Sequence, residues 1–353
     1  MEDKTTGIAL QLQTHLCWHK ARIKFLEMLI LSLIRTRTVA YSHNAVVLNN
    51  AEVCSNLRRI QRFFSQYVID FDIIARLLMA INPIKGPYQL SLDRTNWQFA
   101  GVNFNILCLT VVAEGISLPI LWTMLDKRGN SNQDERKVLI NRYIRLFGLP
   151  TIACIIADRE FIGQEWVAYL STHPIKFYIR IRENLTVLHR GRELKAFWLF
   201  HNLSLQQIRH LEKPLLLNGQ WVYLTGLKTI NPKGLLEFVI VATYQFDEQA
   251  MQVYAKRWAI ECFFKAIKTA GFNIEDTHLT DQKRLEKLFA VVCIAFVWVY
   301  LVGQYQNQIR KIPILSHKRK AFSLFRWGLN AINRALLFDK QMIIIYSKLL
   351  THT

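Results

Sequence analysis

Between Val253 and Phe272 the chain reads VYAKRWAIECFFKAIKTAGF, with Tyr254, Arg257, Glu261 and Lys268 spaced by three, four and seven residues. In an α-helix, at about 100° per residue, these four side chains fall within roughly 60° of one face. That face presents one acid, two cations and a phenol, with Trp258 beside Arg257. Val253, Ile260, Phe263, Phe264 and Ile267 lie on the other side and suit a core. A carboxylate set between cations is chemistry for holding a metal ion beside a phosphate backbone. Taken alone, the pattern also fits an ordinary solvated helix, on which Arg257 and Glu261 form a common i,i+4 pair.

Two-metal phosphoryl transfer needs several carboxylates that converge on two divalent ions about 3.5–4 Å apart. Mg²⁺ prefers such an oxygen-rich site, completed by water and substrate phosphate. The elements that would bring more acids to Glu261 are strands. Tyr88–Asp93 is short and alternating. Asn105–Ala113 and Ile116–Met124 flank a hairpin turn at Glu114-Gly115. Asn132–Phe147 reads as a helix that stops at Gly148-Leu149-Pro150. Thr151–Ala157 is a buried strand, Gly163–Ser171 a helix, and Lys176–Arg182 another strand.

Three meandering strands followed by helix, strand, helix and strand is the order of an α/β, ribonuclease-H-like fold, a mixed sheet with helices on both faces. In that fold an acid belongs on the first strand and another at the end of the fourth. Asp93 (LSLDRTNW) and Asp158 (IIADREF) stand there, and Glu261 would come from the late helix. Each aspartate also has an ordinary reading. Asp93 suits a strand-end turn or a partner for Arg94, and Asp158 suits a helix N-cap or a partner for Arg159. Glu160 is the nearest rival to Asp158 but lies beyond the apolar run. The chain has no phosphate-binding G-x4-G-K-[ST] loop and no G-x-S-x-G nucleophile elbow.

The remaining segments divide the chain. Residues 1–85 are helical and basic, with eleven Lys/Arg against six acids, and suit either a DNA-binding domain or a packed helical lobe. A linker at Asn82–Pro87 leads into 86–183, the first part of the catalytic domain. Residues 184–246 read as a β-rich insertion, with turns at Asn218-Gly219 and Asn231–Gly234. Residues 247–303 carry the glutamate on a helix for which Asp247 would be the N-cap. Residues 304–353 form a basic helical tail with nine Lys/Arg and one acid.

The whole chain holds 45 Lys and Arg against 26 acids, a formal charge of +19, which calls for a polyanionic partner. Six cysteines without a C-x-x-C pair, and ten histidines without ligand spacing, argue against a disulfide framework or a zinc site. The start lacks the basic and apolar regions of a signal peptide. Leu288–Gly303 is 16 uncharged residues, short for a membrane span, and is read as a core helix. These features together lead to a cytoplasmic protein with no membrane association.

The motifs LSLDRTNW and IIADREF and the Y-x2-R-x3-E-x6-K string resemble those of the DDE transposases of bacterial insertion sequences, insertion-sequence-4 type. The resemblance runs from about Tyr88 to Gly303 and includes a β-strand insertion between the second Asp and the Glu. It implies that Asp93, Asp158 and Glu261 bind two Mg²⁺ ions, with Mn²⁺ as a substitute. It implies that Tyr254, Arg257 and Lys268 contact phosphates near the element's end, and that the partners are the inverted-repeat ends and target DNA. Trp258 would either stack on a flipped base or pack beside the helix. A second stacking tryptophan would come from the insertion, where Trp198 and Trp221 are candidates. The activity implied is cut-and-paste transposition: hydrolysis at each end, then attack by the freed 3′-hydroxyl, carried out by a homodimer. The alternatives are a ribonuclease-H-like nuclease, which needs neither the insertion nor the Tyr/Arg/Lys face, and a catalytically inactive DNA-binding descendant of a transposase.

Overall fold

The computed structural model describes residues 7–351. Five amphipathic helices come first: α1 (Ile8–His15), α2 (Lys20–Thr36), α3 (Tyr41–Val47), α4 (Val53–Gln66) and α5 (Phe71–Ala80). In α4 the buried stripe is Ile60, Phe63 and Phe64, while Arg58, Arg59 and Arg62 stay exposed. Asp70 starts α5 by accepting the N–H of Asp72 at 2.8 Å.

The segment at 82–87 then delivers the chain to a sheet. Strand β1 (Tyr88–Phe99) pairs antiparallel with β2 (Val102–Val112), and β2 with β3 (Ser117–Met124). Helix α6 (Gln133–Phe147) opens with a capping box. The Asn132 side chain accepts the N–H of Glu135, and the Glu135 carboxylate accepts the N–H of Asn132. Strand β4 (Ile152–Ala157) returns parallel to β1, and α7 (Gln164–Thr172) carries the chain to β5 (Phe177–Ile181), parallel to β4. The resulting order β3-β2-β1-β4-β5 is that of the ribonuclease-H-like fold, in a mixed α/β architecture.

β1 runs six residues beyond Asp93, further than its alternation suggested. The polar stretch Arg94–Phe99 has no partner on the β4 side, but β2 pairs with it as far as Phe99↔Val102. The insertion extends the same sheet. It comprises β6 (Thr186–His189), β7 (Arg192–Lys195), β8 (Ile208–His210), β9 (Leu215–Leu217), β10 (Gln220–Ile230) and β11 (Leu236–Thr243). β11 pairs antiparallel with β5, and β10 with β11, so among the described residues the sheet reaches 11 strands. Asn218 and Gly219, at φ of 49° and 77°, make the tight β9–β10 turn, a conformation that favours an Asn-Gly pair.

The chain leaves the sheet through α8 (Ala250–Ala255) and α9 (Trp258–Lys265), then α10 (Gln282–Ile309), α11 (Leu324–Phe338) and α12 (Lys340–Ser347). Asp281 caps α10, accepting the N–H of Arg284 at 3.0 Å. By length and composition α10 is apolar enough to cross a membrane, yet every residue from Leu288 to Gly303 is buried within the fold. It packs against α2, α4, α5, α11 and β3. Residues before β1 and after α10 therefore lie side by side around one helix and share one apolar cluster with the sheet.

Gly303 and Gly328 bring the backbones of α10 and α11 into contact. A Cβ on Gly328 would lie 1.9 Å from the Val299 carbonyl oxygen, and one on Gly303 1.9 Å from that of Leu324. Gly328→Ala is therefore expected to cost about 3 kcal/mol or more, since the obstacle is backbone and cannot rotate away. Equilibrium urea unfolding checks this, through a lowered midpoint.

Candidate active site

Strand register places two acids side by side. Leu92 pairs with Ala157 across the parallel β1–β4 ladder, so the next residue on each chain, Asp93 and Asp158, leaves the same edge of the sheet. Neighbouring strands lie about 4.8 Å apart. Asp93 sits mid-strand, opposite Cys108 of β2, with its side chain only 16% exposed. Its Oδ1 accepts the N–H of Arg94 at 2.8 Å. Burial pushes its pKa up to about 7, against the pull of that N–H and of the Arg257 cation, while Glu160 and Asp158 push it further up. A carboxyl desolvated this far gains most from a cation placed against it.

Asp158 stands at the N-cap position of a 3-10 turn, Arg159–Phe161, but its side chain makes no capping bond. The carboxylate instead accepts the hydroxyl of Tyr254 at 3.2 Å. Burial, reinforced by the charge of Asp158, raises the Tyr254 pKa and keeps the phenol a donor.

Tyr254 and Glu261 do not share one continuous helix, as their spacing suggested. α8 ends at Ala255 and α9 starts at Trp258. Between them Lys256, Arg257, Ala259 and Ile260 donate to carbonyls three residues back, a tighter 3-10 winding. The physical reason is the breadth of the sheet. Ala250, Val253 and Tyr254 pack over β4, β5 and β11 with Cys154, Ile156, Tyr178 and Val241. α9 packs instead over β1, β2 and β3. Lys256 fastens the break to β1, donating to Gln89 at 2.9 Å. Asp247 is likewise not the helix N-cap. It heads the preceding turn, accepting the N–H of Gln249 at 2.8 Å and the hydroxyl of Tyr178 at 2.5 Å.

The break points Arg257 inward. Its guanidinium reaches Asp93 at 3.5 Å and Glu261 at 2.5 Å, and is itself 15% exposed. Thus Arg257 joins an acid on the sheet to the acid on the helix. Among the described residues no three His, Cys, Asp or Glu side chains are grouped closely enough to cage a metal. The donor set nonetheless suits a hard divalent cation: oxygen donors on three elements, one deeply desolvated, and a guanidinium lying between two of them.

After α9 the chain underwinds into a π-turn, Ala266–Ala270, a feature often found at functional sites. Lys268 lies on it and donates to the Asn96 carbonyl of β1 at 3.1 Å, pairs with Glu275 at 2.7 Å and sits 5.7 Å from the Trp97 ring centre. It is thus brought to β1, three residues along from Asp93. Trp258 is 64% exposed and does not pack into the core. Trp198 and Trp221, on the insertion, are 55% and 66% exposed.

Arg94, which the sequence offered as a partner for Asp93, instead pairs with Glu160 and holds this edge together. Arg94 donates through Nε to both oxygens of Glu160, at 2.9 and 3.1 Å, and through a terminal nitrogen to Asn130 at 2.8 Å. The pair pins the residue after Asp93 to the turn after Asp158.

The family model described as a transposase DDE domain matches residues 88–298, more than half of the chain and the whole span from β1 into α10. No curated protein matches. Among solved structures, the cryo-EM structure of the piggyBac transposase synaptic complex with hairpin DNA is similar at a TM-score of 0.51 and 11% identity, over 95% of this chain and 77% of that one. That likeness concerns the fold, and it extends beyond the family match to the helices on either side. By the span and position of the family match, this chain belongs to the transposase DDE domain family.

Proposed function

We propose that the chain is the transposase of a bacterial insertion sequence of the insertion-sequence-4 type, acting in the cytoplasm by cut-and-paste transposition. What supports this reading is that one strand register sets Asp93 and Asp158 side by side, while Arg257 links Asp93 to Glu261. Asp93, Asp158 and Glu261 would hold two divalent ions, Mg²⁺ or in their place Mn²⁺. When bound, these supply Lewis-acid stabilisation of the phosphoryl group and activation of the attacking oxygen.

The protein's own residues then have separate tasks. Tyr254 orients the Asp158 carboxylate by its hydroxyl. Arg257 supplies a planar fork suited to a phosphate, while Lys268 supplies a point charge further along β1. The break that aims Arg257 also leaves Trp258 open to solvent, where it can stack on an unstacked base of the end. Residues 1–85 bind the ends, and two protomers pair them, as two ends must be cut together.

A plasmid carrying the gene within its native flanks tests the reading. With purified protein and Mg²⁺, the element is expected to be released by double-strand cleavage at inverted repeats. Nicking without defined ends would instead favour a simple nuclease, and binding without cleavage an inactive descendant. In the same assay Trp258→Ala is expected to lower cleavage about 10- to 100-fold, the scale of one lost stacking contact of about 1–3 kcal/mol. Its thermal stability should be unchanged, because the indole is exposed.

A further inference from the structure

Apart from the carboxylates, a cleft of about 800 Å³ lies between α4 and the start of α10. Arg58 and Arg62 line it from α4, Arg284 from α10, and His278 from the loop before α10. All four are exposed. Nearby acids are already engaged. Asp276 pairs with His278 at 3.0 Å, and Asp281 caps α10 and pairs with Arg284 at 3.6 Å. Among the described residues no acid pairs with Arg58 or Arg62. Tyr41 also lines the cleft, stacked on Phe64 with ring centres 5.2 Å apart. Its hydroxyl is buried and has no hydrogen-bond partner. A buried polar group left unpaired costs free energy, and an acceptor arriving in the cleft would satisfy it.

The cleft continues the candidate active site. From Asp93, β1 runs past Asn96, held by Lys268, to Phe99, whose ring meets His278 edge-on at 5.1 Å. Six residues of strand span about 20 Å. One DNA strand advances about 3.4 Å per phosphate, so that distance corresponds to roughly six nucleotides.

Resting on the reading of this chain as a DNA transposase, we propose that the Arg58–Arg62–Arg284 cleft grips the phosphate backbone of duplex DNA about six nucleotides from the scissile phosphate. The cleft positions the duplex, and bases are read elsewhere. Binding to the element's end is measured as a function of salt with the full chain. Arg58→Ala/Arg62→Ala/Arg284→Ala is expected to reduce the slope of log K against log salt by about 2 to 3, close to one per lost contact. It should also expose the backbone about six nucleotides from the cut to hydroxyl radical, with protection at the cut retained. The matching triple Lys variant, which keeps the charge, should retain the wild-type slope. Tyr41→Phe should weaken binding while leaving the melting temperature level or raised, a combination that a purely structural tyrosine would not give.

An unchanged slope and footprint in a folded Ala variant would overturn the proposal, as would triple-Ala loss of binding to anionic vesicles with DNA binding intact. Wild-type protein that neither binds nor cuts element ends would instead overturn the transposase reading beneath it.

Discussion

Replacing Asp158 with Asn, or Glu261 with Gln, is expected to lower DNA cleavage by at least about 1,000-fold while leaving binding to the ends within a few-fold of wild type. Either change keeps the shape of the side chain and removes the charge that holds a divalent cation. Metal stabilisation of a transferring phosphoryl group is worth several kcal/mol, and each 1.36 kcal/mol is about tenfold in rate. The fold should tolerate both changes. Asp158 makes no capping bond, and an amide at that position still accepts the Tyr254 hydroxyl. Glu261 is 35% exposed, so its ion pair with Arg257 adds little to stability. Single-turnover cleavage beside a binding titration checks this, and full-rate cleavage by either variant would remove that acid from the site.

Arg257→Ala is expected to act on both chemistry and stability. Loss of a preorganised donor aimed at a charged group typically costs about 100- to 1,000-fold in rate. Arg257→Lys should recover only part of this, since an ammonium cannot form the planar fork. The stability effect depends on pH. With the guanidinium gone, a group that lowers the Asp93 pKa is gone too, so that pKa rises further above its present value of about 7. A carboxyl whose folded pKa lies above its unfolded one favours folding at low pH, and that contribution is lost as pH rises through the folded value. The variant should therefore lie closest to wild type below pH 7 and fall progressively behind it above pH 7. Thermal melts across that range check the sign. A gap that widens towards acid would show that Arg257 does not control Asp93.

Much of the sheet was legible because its signals are local. The all-buried run Phe104–Val111 and the apolar Cys154–Ala157 read as strands on sight, with Asp93 on the neighbouring β1 and Asp158 just past the end of β4. The features that escaped depend on partners distant in sequence. Arg94–Phe99 reads as polar and turn-like, and becomes strand because β2 pairs with it. The break at Lys256–Arg257 lies in a stretch without Gly or Pro, and no local residue announces it. It arises because α8 and α9 cover different parts of one broad sheet. The insertion showed its strands and its Asn218-Gly219 turn, whereas the docking of β11 on β5 depends on an edge that only the folded sheet presents. The helical stripes of 1–85 could not name α10 as their partner either, since an apolar face fixes what must be covered but not by what.

Arg257 connects the legible and illegible parts. Its spacing from Glu261 gave the ion pair on an i,i+4 basis, and only the break explains how the same guanidinium also reaches Asp93.

The most direct test of the central claim is a Mn²⁺ titration of the protein–DNA complex followed by electron paramagnetic resonance. If Asp93, Asp158 and Glu261 form one site, wild-type complex takes up Mn²⁺. Asp93→Asn, Asp158→Asn and Glu261→Gln should then each weaken that uptake strongly, with DNA still bound. Unchanged Mn²⁺ binding by all three variants would contradict the account.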